Sequence, residues 1–234
     1  MRDRQGRGRD GDRTNMTMDG QQRTARLVEA LARPAAYPHG VGRIERIETH
    51  ISYVLLAGNY AYKIKKPVDF GFLDFRELEQ RRWFCHEEVR LNSRLAPSIY
   101  LDVVAITGSL DNPQVGEPGE ALEYAVRMRR FDQQDLLTKH RLTPQLMERI
   151  GRTAAQFHER AERADATMEF GHPEAVYAPM RQNFEQIREL LPEVGELHRL
   201  DALETWTDER FRALTPLLAE RKATGFVREC HGDM

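Results

Sequence analysis

Cysteine is scarce: Cys85 and Cys230 are the two in the chain, far apart and without metal-ligand spacing. They read as reduced thiols rather than a disulfide, which fits a reducing compartment. Long apolar runs are lacking too. The longest, such as Tyr53-Val54-Leu55-Leu56-Ala57, are the size of one strand, well short of the ~20 residues that cross a bilayer. No secretory leader is recognisable, so the expected compartment is the cytoplasm and no membrane partner is expected. An excess of one charge is absent. Thirty-five Lys and Arg against 37 Asp and Glu leave a net charge of −2, which gives no general pull toward nucleic acid or anionic lipid. There is no Gly-x-x-x-x-Gly-Lys-Ser/Thr segment, which excludes a P-loop site in these residues, and no Gly-x-Gly-x-x-Gly between residues 43 and 57.

What is present suits a folded protein. The chain has 234 residues, 40% apolar and 31% charged, enough to bury a core in one large domain or two lobes. Residues 1–22 are the exception. They are rich in Arg, Asp and Gly and nearly free of large apolar groups, so they are expected to form a disordered tail. The interleaved Asp3, Asp10 and Asp12 offset its arginines, against an RNA-binding role. Met16 and Met18 leave the true start open.

Residues 24–33 have helical spacing at Ala25, Leu27, Val28 and Leu31. Three strand-like runs follow, at 43–49, 51–57 and 60–67, the last two joined by Gly58-Asn59. Asp74 with Glu77 resembles a helix-capping pair, and that helix is expected to run to about Leu95, with Phe84, Leu91 and Leu95 as its buried stripe. Strands at 99–107 and 122–128 come next, separated by a linker (Gly108, Asn112, Pro113, Gly116, Pro118, Gly119) that reads as turn throughout. Beyond Phe131 the pattern is helical: Thr143-Pro144 to about Glu162, Pro173 to about Leu191, and a helix capped by Asp201 to about Lys222. The expected fold is α+β: a five-stranded antiparallel lobe with one helix (residues 23–128), then a partial helical lobe (residues 129–234).

The chemistry concentrates at the end, in Arg228-Glu229-Cys230-His231-Gly232-Asp233-Met234. A His-Gly-Asp after a short apolar strand reads as a kinase catalytic loop, in which Asp233 would accept the proton of a substrate hydroxyl. His231 reads as structural, Cys230 as a small packing residue, and Gly232 as a backbone position other residues resist. The Asn and Asp that hold metal in such loops would lie further on, so the 234 residues are expected to be a fragment and inactive as they stand. Lys63, in Ala61-Tyr62-Lys63, is the candidate for gripping phosphates. Lys65 shares its face and is a rival, while Lys66 points away. Lysines guarding an edge strand are the plainer alternative. Glu88 falls within the apolar stripe of its helix, where an acid needs a partner; Glu87 at the stripe's edge could substitute. Met128, Arg129 and Phe131 belong to the expected connector, whose backbone would meet an adenine edge. Arg127, Arg129 and Arg130 could reach phosphates or be solvated. In place of a glycine-rich loop, Thr49 and Ser52 hydroxyls or nearby amides would have to serve.

Four segments resemble one family. They are residues 53–75 (Tyr53-Val54-Leu55-Leu56-Ala57-Gly58-Asn59-Tyr60-Ala61-Tyr62-Lys63-Ile64-Lys65-Lys66-Pro67-Val68-Asp69-Phe70-Gly71-Phe72-Leu73-Asp74-Phe75), residues 87–97, Met128-Arg129-Arg130-Phe131 and residues 227–233. The chain is similar, over roughly residues 24–234, to bacterial aminoglycoside phosphotransferase-like proteins, a group often fused to a C-terminal P-loop ATPase that these residues do not contain. The resemblance implies a protein-kinase-like two-lobe fold, with ATP and Mg²⁺ as cofactors and a small-molecule hydroxyl as acceptor. It implies Asp233 as catalytic base, Lys63 as phosphate-binding lysine and Glu88 as its ion-pair partner. A non-catalytic module that binds nucleotide or a partner is the alternative.

Overall fold

The computed structural model describes residues 10–71, 74–165, 167–190 and 194–232. The chain divides into two compact units, Met1–Arg141 and Leu142–Met234. The fold is α+β, with five α-helices and a six-stranded antiparallel sheet among the described residues.

In the first unit, helix α1 (Asp10–Ala30) leads into a one-turn 3-10 helix at Pro34–Ala36. The helix begins inside the stretch expected to be disordered. Its second half is anchored by Leu27 and Val28, all but fully buried like Leu31 just past its end, and a helix anchored at one end extends at little cost because each added residue closes its own hydrogen bond. Strands β1 (Ile44–Glu48), β2 (Ser52–Ala57) and β3 (Tyr60–Lys65) form the expected meander. Helix α2 (Leu78–Asn92) follows, then β4 (Tyr100–Ser109), β5 (Asn112–Val115) and β6 (Glu123–Arg129). The strand order β1-β2-β3-β6-β4-β5 puts β3 inside the sheet, so its lysines do not guard an edge.

Strand β5 corrects the expected five strands to six. Residues read as turn throughout fold back as a hairpin on the end of β4, with Ser109 opposite Asn112. Gly108 makes the approach possible: its φ is +86°, and a Cβ there would stand 2.6 Å from the Asn112 carbonyl oxygen. Pro113 has no N–H to donate, which the outermost strand tolerates. The Asp111 carboxylate at the hairpin tip accepts the Arg26 guanidinium of α1 at 2.7 Å.

Alternation along the strands separates two faces. Tyr53, Leu55, Ala57, Tyr62, Ile64 and Ala125 join α1 and Tyr37 in the main core. The opposite face carries Ser52, Val54, Ala61, Lys63, Lys65, Val126 and Met128, by their register.

Helix α2 differs from the sequence reading at its start and in its buried face. Glu77 caps the helix without a side-chain hydrogen bond. Asp74 instead accepts the Arg76 N–H at 3.0 Å and pairs with the Arg76 guanidinium, which holds its carboxyl down at about 2. The helix ends at Asn92, before Leu95. Its buried residues are Arg81 and Cys85, with Glu88 one turn further, while Phe84, Leu91 and Leu95 are half-buried. The face toward the sheet therefore carries two charged residues, Arg81 and Glu88, on either side of the neutral Cys85, at i, i+7 and i+4. Arg81 reaches both carboxylate oxygens of Glu123 and donates to the carbonyls of Phe75 and Arg76 at 2.7 Å. Burial pushes the Glu123 carboxyl up, while Arg81 and the Tyr124 N–H pull it down.

The second unit contains α3 (Pro144–Arg160), α4 (Pro173–Leu190) and α5 (Val194–Ala223). Thr143 caps α3, accepting the Leu146 N–H at 3.2 Å. Helix α5 starts before Asp201, which is no cap: its carboxylate accepts Arg188 of α4 at 2.7 Å. Tyr177 stacks on Phe211 at 4.2 Å between ring centres and bonds Asp208. Phe157, Ala161, Pro173, Phe184 and Leu200 are the buried apolar residues of this unit among those described. No helix of the described residues is long and apolar enough to cross a membrane.

Candidate functional site

The candidate site is built on β3 and α2. Tyr60-Ala61-Tyr62-Lys63-Ile64-Lys65 alternates so that Tyr62 and Ile64 enter the core, which turns Ala61, Lys63 and Lys65 to the other face. Helix α2 brings Glu88 to that face. Its Oε1 accepts Lys63 Nζ at 2.7 Å and its Oε2 accepts Lys65 Nζ at 2.6 Å. One carboxylate thus bridges two ammonium groups, and the cluster keeps a net charge of +1. Burial alone would raise Glu88; the Lys65 and Lys63 ammoniums outweigh it and hold the carboxyl below its ordinary range.

The two lysines are not equivalent. The side chain of Lys63 is 27% exposed and that of Lys65 is 7% exposed. Lys65 also lies 5.1 Å from the ring centre of the buried Phe75, a cation–π contact. Lys66 pairs away from the cluster with Glu48 at 2.7 Å. Glu87, the other acidic candidate, is taken by Arg90 at 2.8 Å. Tyr100 stands near enough to Glu88 and Lys63 to feel both charges; burial first, then Glu88, raises its hydroxyl.

Met128 lies opposite Ala61, on the face that carries Lys63. The Arg129 N–H donates to the Ile99 carbonyl at 2.8 Å and the Arg130 N–H to the Asn59 carbonyl at 2.9 Å. Both amides are used by the backbone at the ends of the neighbouring strands, and Phe131 beyond them is 41% exposed. Two of the three arginines read as reaching phosphates or solvated are paired: Arg127 grips Asp102 at 2.5 and 2.8 Å, and Arg130 reaches Glu45 at 3.0 Å. Arg129 is exposed.

At the β1–β2 turn, the Thr49 hydroxyl accepts the Ser52 N–H at 3.0 Å and donates to the Ser52 carbonyl. That hydroxyl closes the turn and is not offered to a ligand. The Ser52 hydroxyl is buried and has no hydrogen-bond partner among the described residues.

Asp233 lies outside the described residues. The segment before it does not. Ala164 N–H donates to Val227 O at 2.9 Å and Glu229 N–H to Glu162 O at 2.8 Å, and Arg228 donates to the Glu159 carbonyl at 2.8 Å. These tie the last described residues to the end of α3. Gly232 has φ +84°, a conformation that glycine adopts without a Cβ penalty. His231 is half-buried and Cys230 is exposed, so Cys230 does not pack as expected. Cys85 is fully buried, and burial pushes its thiol up to about 12.

Sequence reading missed the Arg81–Glu123 pair. Its signal was present as an Arg seven residues before Glu88 and a Glu at the head of an apolar strand. It took the fold to show that both are interior.

No protein-family model matches the chain, and no solved structure matches it. Uncharacterized proteins of Mycobacterium bovis (strain ATCC BAA-935 / AF2122/97) and of Mycobacterium tuberculosis (strains H37Rv and CDC 1551) are 34% identical to it over 191 residues, 80% of this chain and 37% of theirs. The chain therefore spans little more than a third of the length of these relatives.

Proposed function

We propose that this protein is an ATP-dependent phosphotransferase of kinase-like two-lobe fold, similar to the aminoglycoside phosphotransferases, acting on a hydroxyl of a small molecule. The single observation that carries the reading is the contact of Glu88, from the helix after the third strand, with Lys63 on that strand at 2.7 Å. Kinases use such a pair to hold a lysine against nucleotide phosphates. The chemistry of the cluster fits that ligand. Two cations against one carboxylate leave a positive charge, and an ammonium has three donors, of which Glu88 engages one on Lys63.

In the proposed reaction the acceptor oxygen bonds to the γ-phosphorus and the β,γ-bridging bond breaks. ADP leaves with that electron pair, and the hydroxyl proton passes to Asp233. Lys63 orients the phosphates; Ala61 and Met128 present a small and a flexible apolar surface on the same face. Mg²⁺, when bound, would neutralise charge developing on the phosphates. Among the described residues no three His, Cys, Asp or Glu side chains stand together as a metal site, so no residue is assigned to it.

The test is calorimetric titration of ATP with Mg²⁺ into the 234-residue chain and into Lys63→Met. Losing one charge-assisted hydrogen bond to phosphate is expected to weaken binding roughly tenfold or more. Absence of binding by the unaltered chain would overturn the proposal. Binding with transfer to any of a panel of hydroxyl acceptors would exclude the non-catalytic module.

A further inference from the structure

We infer that Lys65 is the positioning residue of this site, holding Glu88 in place so that Lys63 is left to meet the ligand's phosphate. The role given to Lys63 rests on the nucleotide reading; the role given to Lys65 does not.

The geometry divides the work. Both ammoniums sit on Glu88 at nearly equal distance, 2.7 and 2.6 Å, but on different oxygens. Lys65 is sealed: its side chain is 7% exposed, Phe75 lies against it, and its strand partner across β2 is the buried Ser52. A ligand cannot reach it without opening α2 from β3. Lys63 faces Val54 and Val126 by register and keeps a quarter of its side chain in solvent. A glutamate held by Lys63 alone would have to share its one partner with the phosphate, and a desolvated carboxylate whose partner is drawn away is strongly disfavoured. With Oε2 fixed on Lys65, Glu88 stays ionised and in register while Lys63 shares its remaining donors. Lys65 acts on the ligand only through Glu88, so its effect on binding must vanish once Glu88 is gone.

That dependence is the test. MgATP affinity is measured in the full chain for Lys63→Met, Lys65→Met, Glu88→Gln and the two double variants that contain Glu88→Gln. Chemical denaturation of the same proteins gives the coupling of each lysine to Glu88. The Lys65–Glu88 coupling is expected to change the folding equilibrium about tenfold or more, and the Lys63–Glu88 coupling less than about threefold. Lys65→Met should weaken MgATP binding when Glu88 is present and add nothing in the Glu88→Gln background, whereas Lys63→Met should weaken it in both. The Lys65→Met/Glu88→Gln protein leaves no buried charge stranded, so its comparison with Glu88→Gln holds even where Lys65→Met alone fails to fold. A loss from Lys65→Met that persists in full without Glu88 would overturn the inference, because Lys65 would then touch phosphate itself. So would equal coupling of the two lysines. A chain that binds no MgATP yet ranks the couplings as stated would sink the nucleotide reading and sustain Lys65 as the holder of Glu88.

Discussion

Removing Arg81 should cost this protein more than removing any exposed charge. Its guanidinium donates to Glu123 at 2.9 and 3.1 Å and to the carbonyls of Phe75 and Arg76 at 2.7 Å. The side chains of Arg81 and Glu123 are only 9% and 2% exposed. Arg81→Met strands the Glu123 carboxylate in the interior and takes a donor from both carbonyls. Breaking a buried pair from one side costs about 3–5 kcal/mol, which for a unit of this size is a fall of roughly 10–15 °C in Tm. Replacing both partners, in Arg81→Met/Glu123→Leu, leaves no stranded charge and should recover most of the loss. Thermal melting followed by Trp83 fluorescence in a Trp206→Phe background reports on the first unit alone, since Trp83 lies on α2 and Trp206 on α5. The single variant should also be penalised less at low pH, where Glu123 takes up a proton and the stranded charge disappears. A single variant melting within about 2 °C of the parent would refute the reasoning, as would a double variant less stable than the single one.

Three further outcomes are expected. Glu88 titrates below its ordinary value of 4.5, so its stabilisation is present in full above that pH and is lost as pH falls through the lower folded-state value. The stability gap between the parent and Glu88→Gln, measured by urea denaturation between about pH 6 and about pH 3, should shrink across that window, and a constant gap would count against it. Ser52→Ala removes a buried hydroxyl with no partner among the described residues; melting should show Tm unchanged or raised, and a fall of more than about 3 °C, the equivalent of about 1 kcal/mol, would mean that the hydroxyl is bonded after all. A thiol reagent should modify about one cysteine in the native chain, Cys230, because Cys85 is buried and protonated; peptide mapping that finds Cys85 labelled first would reverse this.

The elements were legible where local chemistry is strong. Strands β2 and β3 are apolar or alternating and joined by Gly58-Asn59, so pairing and faces follow from the chain itself. Thr143-Pro144 sets the start of α3 because a threonine hydroxyl and a proline suit the first turn of any helix. β5 was not legible. Its residues are turn formers, and they become a strand only because β4 offers an edge and a proline there loses nothing. The start of α2 misled for a related reason. Asp74 has a capper's side chain, but Arg76, two residues on, captures it first.

The candidate site divides in the same way. The sequence by itself determined that Lys63 and Lys65 share one face of a strand and that Glu88 stands where an acid needs a partner, because both follow from helix and strand period. Only the tertiary structure decided that one carboxylate serves both lysines, that Lys65 is sealed and Lys63 is not, and that Arg81 and Glu123 form a second buried pair. Those outcomes depend on how far α2 lies from β3 and β6, and the spacing between packed elements is set by every side chain in the contact at once, which no local pattern records.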